Sequence, residues 1–169
     1  LTERMRHDIT LLGPTLDPHA AFLLMRGLRT YHVRRAAECA AALAIARFLE
    51  AQPRVRRVHY PGLPAHAGHA LACAQMADFG TVVTAELDGT SEHARTFVEA
   101  LELFATTASL GSTESLVLPP QFLEPRDLAP EQRELSGIRP TTVRLSIGLE
   151  DIEDLIADLT QALARAYVP

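Results

Sequence analysis

Apolar residues at Phe22, Leu23 and Met25, then at Val33, Ala37, Ala40, Ala41, Ala44, Phe48 and Leu49, keep close to helical spacing as far as Gln52-Pro53. The spacing predicts a long helix opening at Asp17-Pro18. The carboxylate there can cap free N–H groups, and proline at the first helical position loses no hydrogen bond. Gly27 is where this element would bend or divide. Arg54 to Tyr60 reads as a short strand, and Tyr60-Pro61-Gly62-Leu63-Pro64 as a rigid connector after it. The alanine-rich stretch from His69 to Met76 is helix-prone, with Gly80 as its stop. In Thr81 to Leu87, Val83, Ala85 and Leu87 alternate with Val82, Thr84 and Glu86, the period-two pattern of a strand with one buried face.

Asp88-Gly89 turns the chain, and Thr90 or Ser91 can cap a helix in which Ala94, Phe97, Val98 and Leu101 share one face. Phe104 to Ala108 reads as another short strand. Five of the eleven prolines lie between Val117 and Pro140, which predicts a long irregular segment. From Thr142 to Ile147, Val143, Leu145 and Ile147 take one face while Thr142, Arg144 and Ser146 take the other. The last helix starts at Asp151 and buries Ile152, Leu155, Ile156, Leu159 and Leu163, with Glu150, Asp151, Glu153 and Asp154 at the positive end of its dipole. The expected fold is α+β, with helices packed on one side of a mostly antiparallel sheet of about four strands.

Composition narrows the chemistry. The length of 169 residues, 47% apolar and 22% charged, fits one globular domain. All 16 basic residues are arginine, so no mechanism needing a lysine amine can run on this polypeptide alone. A formal charge of −5 disfavours a nucleic-acid partner, and Arg54, Arg56 and Arg57 fit a solvated strand edge better than a phosphate track. Cys39 and Cys73 sit in alanine-rich segments where buried thiols are expected rather than a disulfide, which fits a reducing cytoplasm. Glu38, Arg47 and Glu50 interrupt the most apolar run, so it is no membrane span, and the first residues lack a signal-peptide pattern.

Three features could carry chemistry. In Ser109-Leu110-Gly111-Ser112-Thr113-Glu114-Ser115-Leu116, small hydroxyls and a glycine come directly after a strand, so the turn could aim N–H groups at an anion or be a plain turn. Arg144 offers the planar paired donors that match a carboxylate, or is simply solvated or salt-bridged. His59, His66 and His69 lack the further ligands a metal needs, and no metal site is expected. A nucleophile elbow, a dinucleotide loop, a phosphate loop and a CxxC pair are absent.

Taken in order, the segments are more specific than any one of them. They are Leu16-Asp17-Pro18-His19-Ala20 with Leu24-Met25-Arg26-Gly27-Leu28-Arg29-Thr30; His59-Tyr60-Pro61-Gly62-Leu63; Ser109-Leu110-Gly111 with Glu114-Ser115-Leu116; and Val143-Arg144-Leu145-Ser146-Ile147-Gly148-Leu149-Glu150-Asp151. From about Leu16 to the C-terminus this pattern resembles the C-terminal part of the pyridoxal-phosphate-dependent Cys/Met-metabolism, or trans-sulfuration, enzymes, including cystathionine γ-synthase, cystathionine γ-lyase and methionine γ-lyase. The resemblance implies a small α+β domain over residues 16–169, with residues 1–15 a lead-in from a large domain that carries the cofactor and its Schiff-base lysine. It also implies a homotetramer.

By the same resemblance, Arg144 would pair with the substrate α-carboxylate, Ser109 would contribute at that end, and Ala108 would face the distal part of the substrate. The implied reaction is elimination or replacement at Cγ or Cβ of methionine, homocysteine, cystathionine or an O-acyl homoserine, with pyridoxal 5'-phosphate as electron sink. No residue of this chain would be catalytic, because the lysine is missing. Where the family carries a His-Pro and a Thr-His, this chain has Pro119-Pro120 and Glu124-Pro125 followed by Arg126 and Asp127, and Arg35 and Glu38 replace apolar or histidine positions. A stand-alone amino-acid-binding or structural module is the alternative.

Overall fold

The computed structural model describes residues 2–13, 15–123, 135 and 137–168. The chain divides into two compact units, residues 1–33 and 34–169. In the first, α1 (Thr2–Leu12) and α2 (Pro18–Leu28) contain no buried residue. The Asp17 carboxylate caps α2 as expected, accepting from the N–H groups of His19 at 2.9 Å and Ala20 at 3.1 Å. Phe22, Leu23, Leu24, Met25 and Leu28 stay exposed. The long helix divides just past Gly27: α2 ends at Leu28, and α3 (Tyr31–Glu50) resumes beyond Arg29-Thr30.

The second unit is built around one sheet. Its strands are β1 (Val55–His59), β2 (Val82–Leu87), β3 (Ala105–Thr106), β4 (Leu116–Leu118) and β5 (Thr142–Ser146), in the order β1-β2-β5-β4-β3. The remaining described helices are α4 (His69–Gln75), α5 (Ser91–Ala100), α6 (Pro120–Leu123) and α7 (Ile152–Ala166). Ala41, Ala42, Ile45 and Leu49 of α3, Ala94, Phe97 and Val98 of α5, and Leu155, Leu159 and Leu163 of α7 form one core with Val83, Ala85, Val143, Leu145 and Ile147. Burial of the apolar stripes of these three helices against one face of the sheet is the main force holding this unit together.

The sheet differs from the expectation in two respects. Among the described residues it has five strands rather than about four, and it is mixed, because β3 runs parallel to β4 while β1–β2, β2–β5 and β4–β5 are antiparallel. The fifth strand, β4, is three residues long and buried throughout, so it shows no alternation, and Pro119-Pro120 directly after it reads as irregular chain. Parallel pairing requires the connection from β3 to β4 to turn back on itself, so that the N–H of Ala105 reaches the Ser115 carbonyl at 3.0 Å and that of Thr107 reaches Val117 at 3.2 Å. Residues 107–115 are that connection, and they carry Ser109 and Gly111. Gly80 is not the stop of the alanine-rich helix: α4 ends at Gln75, and Met76 is already extended. Within the expected irregular region, β4 and α6 are ordered elements, while 124–134 and 136, including Glu124-Pro125, Arg126 and Asp127, lie outside the described residues.

Two buried polar anchors fix the connections. Asp158 of α7 accepts from the N–H groups of Glu102 and Leu103, holding the end of α5 to α7. Tyr60, fully buried, donates its hydroxyl to the Gly80 carbonyl at 2.9 Å and so ties the Tyr60–Leu63 connector to the start of β2. Burial pushes the Tyr60 phenol up to about 12, above its ordinary value of 10.0. A phenol harder to ionise folded than unfolded contributes fully below pH ~10 and loses that contribution as pH rises through ~12. Tyr60→Phe should therefore lower the unfolding midpoint at neutral pH, and the gap to the parent protein should narrow between pH ~10 and ~12. A gap that stays constant in an alkaline melting series would contradict the linkage.

Candidate functional site

Register decides which side chains share the second face of the sheet. Cross-strand partners point the same way, so Arg57 and His59 of β1, Thr84 and Glu86 of β2, and Thr142, Arg144 and Ser146 of β5 all lie opposite the helical core. Arg144 stands between Thr84 on β2 and Leu118 on β4. It is half-buried, and its Nη2 donates to the Ser109 carbonyl at 2.9 Å. Its Nε is buried and has no hydrogen-bond partner among the described residues. An unpaired buried N–H costs about 1–3 kcal/mol, and more on a charged group, so this guanidinium is oriented but incompletely satisfied and keeps a donor to spare.

The loop that carries Ser109 is pinned to the same strand a second time. Gly111 donates its N–H to Ser146 Oγ at 2.9 Å, two residues along β5 from Arg144. Gly111 has φ +75°, the left-handed region that glycine enters without strain, so the turn brings its N–H onto the strand. Arg144 and Ser109, singled out separately in the sequence, are thus brought into contact, with the serine's carbonyl rather than its hydroxyl holding the arginine. Ala108 is exposed and directly precedes Ser109.

Beneath this corner is a latch that local sequence reading missed. Ser115, fully buried, donates its Oγ–H to Glu150 Oε2 at 2.7 Å and its N–H to Glu150 Oε1 at 2.7 Å, and its Oγ accepts the N–H of Gly148 at 2.9 Å. Leu149 adds an N–H to the Thr113 carbonyl at 2.9 Å. The two segments pack so closely at Gly148 that a Cβ there would sit 2.5 Å from the Thr113 carbonyl oxygen. Glu150, expected only to complement the helix dipole, is therefore also the acceptor that holds the Ser109 loop against the end of β5. The only sequence signal was that Glu-Ser-Leu and Gly-Leu-Glu occur in two segments which then prove to meet.

Elsewhere on this face, His59 Nε2 lies 2.6 Å from Glu86 Oε1, and Arg139 Nε lies 3.3 Å from Glu86 Oε2. These residues border a cavity of about 450 Å³ together with Arg56 and Arg57. His59, His66 and His69 do not converge: His59 pairs with Glu86, the N–H of Gly68 reaches His66 Nδ1 at 3.1 Å, and His69 turns to the Pro61 carbonyl. Among the described residues no three His, Cys, Asp or Glu side chains gather as metal ligands, and no helix is long and apolar enough to cross a membrane. Arg35 and Glu38, which departed from the expected pattern, pair at 3.1 Å with Glu38 buried, and Arg35 also bonds Thr81 Oγ1 at 3.1 Å.

Residues 1–164 match the family described as Cys/Met metabolism PLP-dependent enzyme. The chain is similar to cystathionine gamma-synthase 1, chloroplastic, of Arabidopsis thaliana, at 43% identity over 163 residues, 96% of this chain and 29% of that protein. It is 40% identical over 155 residues to L-methionine gamma-lyase of Fusobacterium nucleatum subsp. polymorphum, covering 92% of this chain and 39% of that one. It is 43% identical over 154 residues to cystathionine gamma-lyase of Dictyostelium discoideum, 91% of this chain and 40% of that one. The chain therefore spans between 29% and 40% of the length of these relatives.

The latch sets a stability expectation. Ser115→Ala strands a Glu150 oxygen and the Gly148 N–H and should cost about 2–3 kcal/mol. Gly148→Ala drives a methyl into main chain and should cost more. Denaturant unfolding of the two variants checks the order; a Gly148→Ala protein as stable as the parent would show that the close approach is not real.

Proposed function

Because this chain belongs to the Cys/Met metabolism PLP-dependent enzymes, we propose that it is the substrate-clamping part of a cytoplasmic enzyme of that family, acting on sulfur-containing amino acids. The observation that carries this reading is the Arg144 guanidinium, held by the Ser109 carbonyl and left with a buried, unpaired Nε–H. Relatives named as gamma-lyases and a gamma-synthase support the substrate class. The free thiols Cys39 and Cys73 are in keeping with a reducing compartment.

The residues present fit the amino-acid end of such a site and not the attachment point of the cofactor. A fixed arginine with spare donors matches a carboxylate, whereas no lysine exists among the 169 residues to carry a Schiff base. Pyridoxal phosphate, when bound, takes up the electron pair left at the amino acid's Cα. Arg144 binds the α-carboxylate through paired N–H donors, and because Ser109 fixes the plane of the guanidinium, the carboxylate is held in one orientation. That orientation limits the direction of the Cα–H bond, which is how a residue that moves no proton raises the rate of proton removal. Residues 16–169 form the small domain, residues 1–15 lead in from a large domain that supplies the lysine, and the exposed apolar side chains of α1 and α2, such as Leu12 and Phe22, are surface for covering by that domain or by the partners in a homotetramer.

Arg144→Lys in the full-length enzyme keeps the charge but removes the planar fork. It should lower kcat/KM on amino acids by about 10²–10³-fold and leave cofactor absorbance unchanged. Unaltered kinetics would remove Arg144 from the site. Ala108, small and neutral beside Ser109, suits a short or apolar distal group, as in elimination or replacement at Cγ or Cβ of methionine, homocysteine or an O-acyl homoserine. Ala108→Glu should shift the ratio of kcat/KM values towards cystathionine, whose distal ammonium a carboxylate can pair with. An unchanged ranking of substrates would sink that assignment.

A further inference from the structure

Cys73 was expected to be a buried thiol. It is exposed, whereas Cys39 is buried. Cys73 lies one helical turn after His69 on α4, which puts the two side chains on the same face. His69 Nδ1 is 2.7 Å from the Pro61 carbonyl oxygen. A carbonyl only accepts, so Nδ1 carries a proton, and in the neutral imidazole Nε2 keeps its lone pair. That Nε2 is 3.5 Å from Cys73 Sγ. The Phe79 ring covers the imidazole at a centroid distance of 5.7 Å, so the base is held by a hydrogen bond on one side and an aromatic face on another.

These contacts arrange a nucleophile, a base within reach of its proton, and a third group that fixes the tautomer of the base, the relationship required to activate a weak nucleophile. We propose that Cys73 and His69 form a thiol–imidazole dyad and that Cys73 is a reversible modification site for low-molecular-weight disulfides. The dyad shares no residue with the Arg144 corner and does not depend on the cofactor. In the step, His69 Nε2 takes the proton from Cys73 Sγ, and the sulfur attacks one sulfur of the small disulfide. A new S–S bond forms to Cys73, the original S–S bond breaks, and the departing thiolate leaves with the proton from His69. Cys73 is oxidised to the disulfide level and the released half of the small disulfide is reduced to a thiol, so electrons and protons balance.

Cys39 is the internal control. It is 6% exposed, and burial, partly opposed by Arg35, pushes its thiol up and away from the reactive thiolate form. The test uses the full-length protein and oxidised glutathione near neutral pH, with the rate of adduct formation read separately on the Cys73 and Cys39 peptides by mass spectrometry. The expected result is that Cys73 is modified and Cys39 is not, that dithiothreitol reverses the adduct, and that His69→Gln slows modification by about tenfold or more. Should His69→Gln disturb the fold, the native protein still decides the matter. The dyad requires Cys73 to react several-fold faster folded than in urea, whereas a merely exposed thiol reacts no faster folded than unfolded. Equal rates for His69→Gln and the parent, or no acceleration in the folded state, would overturn the proposal.

Discussion

The geometry of the corner where Arg144 meets Ser109 depends on one polar latch, the contact of Ser115 with Glu150 and Gly148. A guanidinium is useful for orienting a ligand only if its own plane is fixed, and Arg144 is fixed by the carbonyl of Ser109, a residue on a loop with no regular structure. That loop is held where it is because Ser115 at its far end is bonded three ways to the segment just after β5, and because Gly148 lets two main chains approach closer than any side chain would allow. Apolar packing positions the sheet; it does not position the loop. The latch replaces lost solvent contacts of a buried hydroxyl, a carboxylate and an N–H with one another, so removing any member leaves the others unpaired.

The two faces of the sheet divide the work. The helix-covered face holds Val83, Ala85, Val143, Leu145 and Ile147 and supplies the hydrophobic stabilisation. The other holds Arg57, His59, Thr84, Glu86, Thr142, Arg144 and Ser146, and several of these are buried as well, so their polar atoms must be satisfied locally or by a ligand. Glu86 is satisfied by His59 and Arg139, and Ser146 by Gly111. Among the described residues, Arg144 is the member of this face left with a buried unpaired donor. This contrast within one face supports reading it as the ligand-facing side.

Much of this was legible in the sequence because periodicity reports directly on burial. The alternation in 142–147 placed Arg144 on the face opposite the core, the cap at Asp17 and the acidic run at 150–154 marked two helix starts, and the spacing after Ser91 marked α5. The failures have physical causes. Alternation shows that a face is polar, not that it is wet, so the burial of Glu86 was invisible. A three-residue strand has no period, and parallel pairing is a property of the connection rather than of the strand, so β4 and the mixed sheet were missed. Alanine-rich composition could not tell the exposed Cys73 from the buried Cys39, because α4 is too short for a stripe to form. The pairing of Glu150 with Ser115, 35 residues away, is tertiary and leaves no local signature.

The central claim is that Arg144, held by Ser109, receives the carboxylate of an amino acid. An experimental structure of the full-length protein with a bound amino-acid substrate or unreactive analogue tests it most directly. The account predicts a carboxylate oxygen within hydrogen-bond distance of the Arg144 guanidinium, with the Arg144 to Ser109 carbonyl bond retained. A carboxylate held by other residues while the Arg144 guanidinium stays unengaged would contradict it.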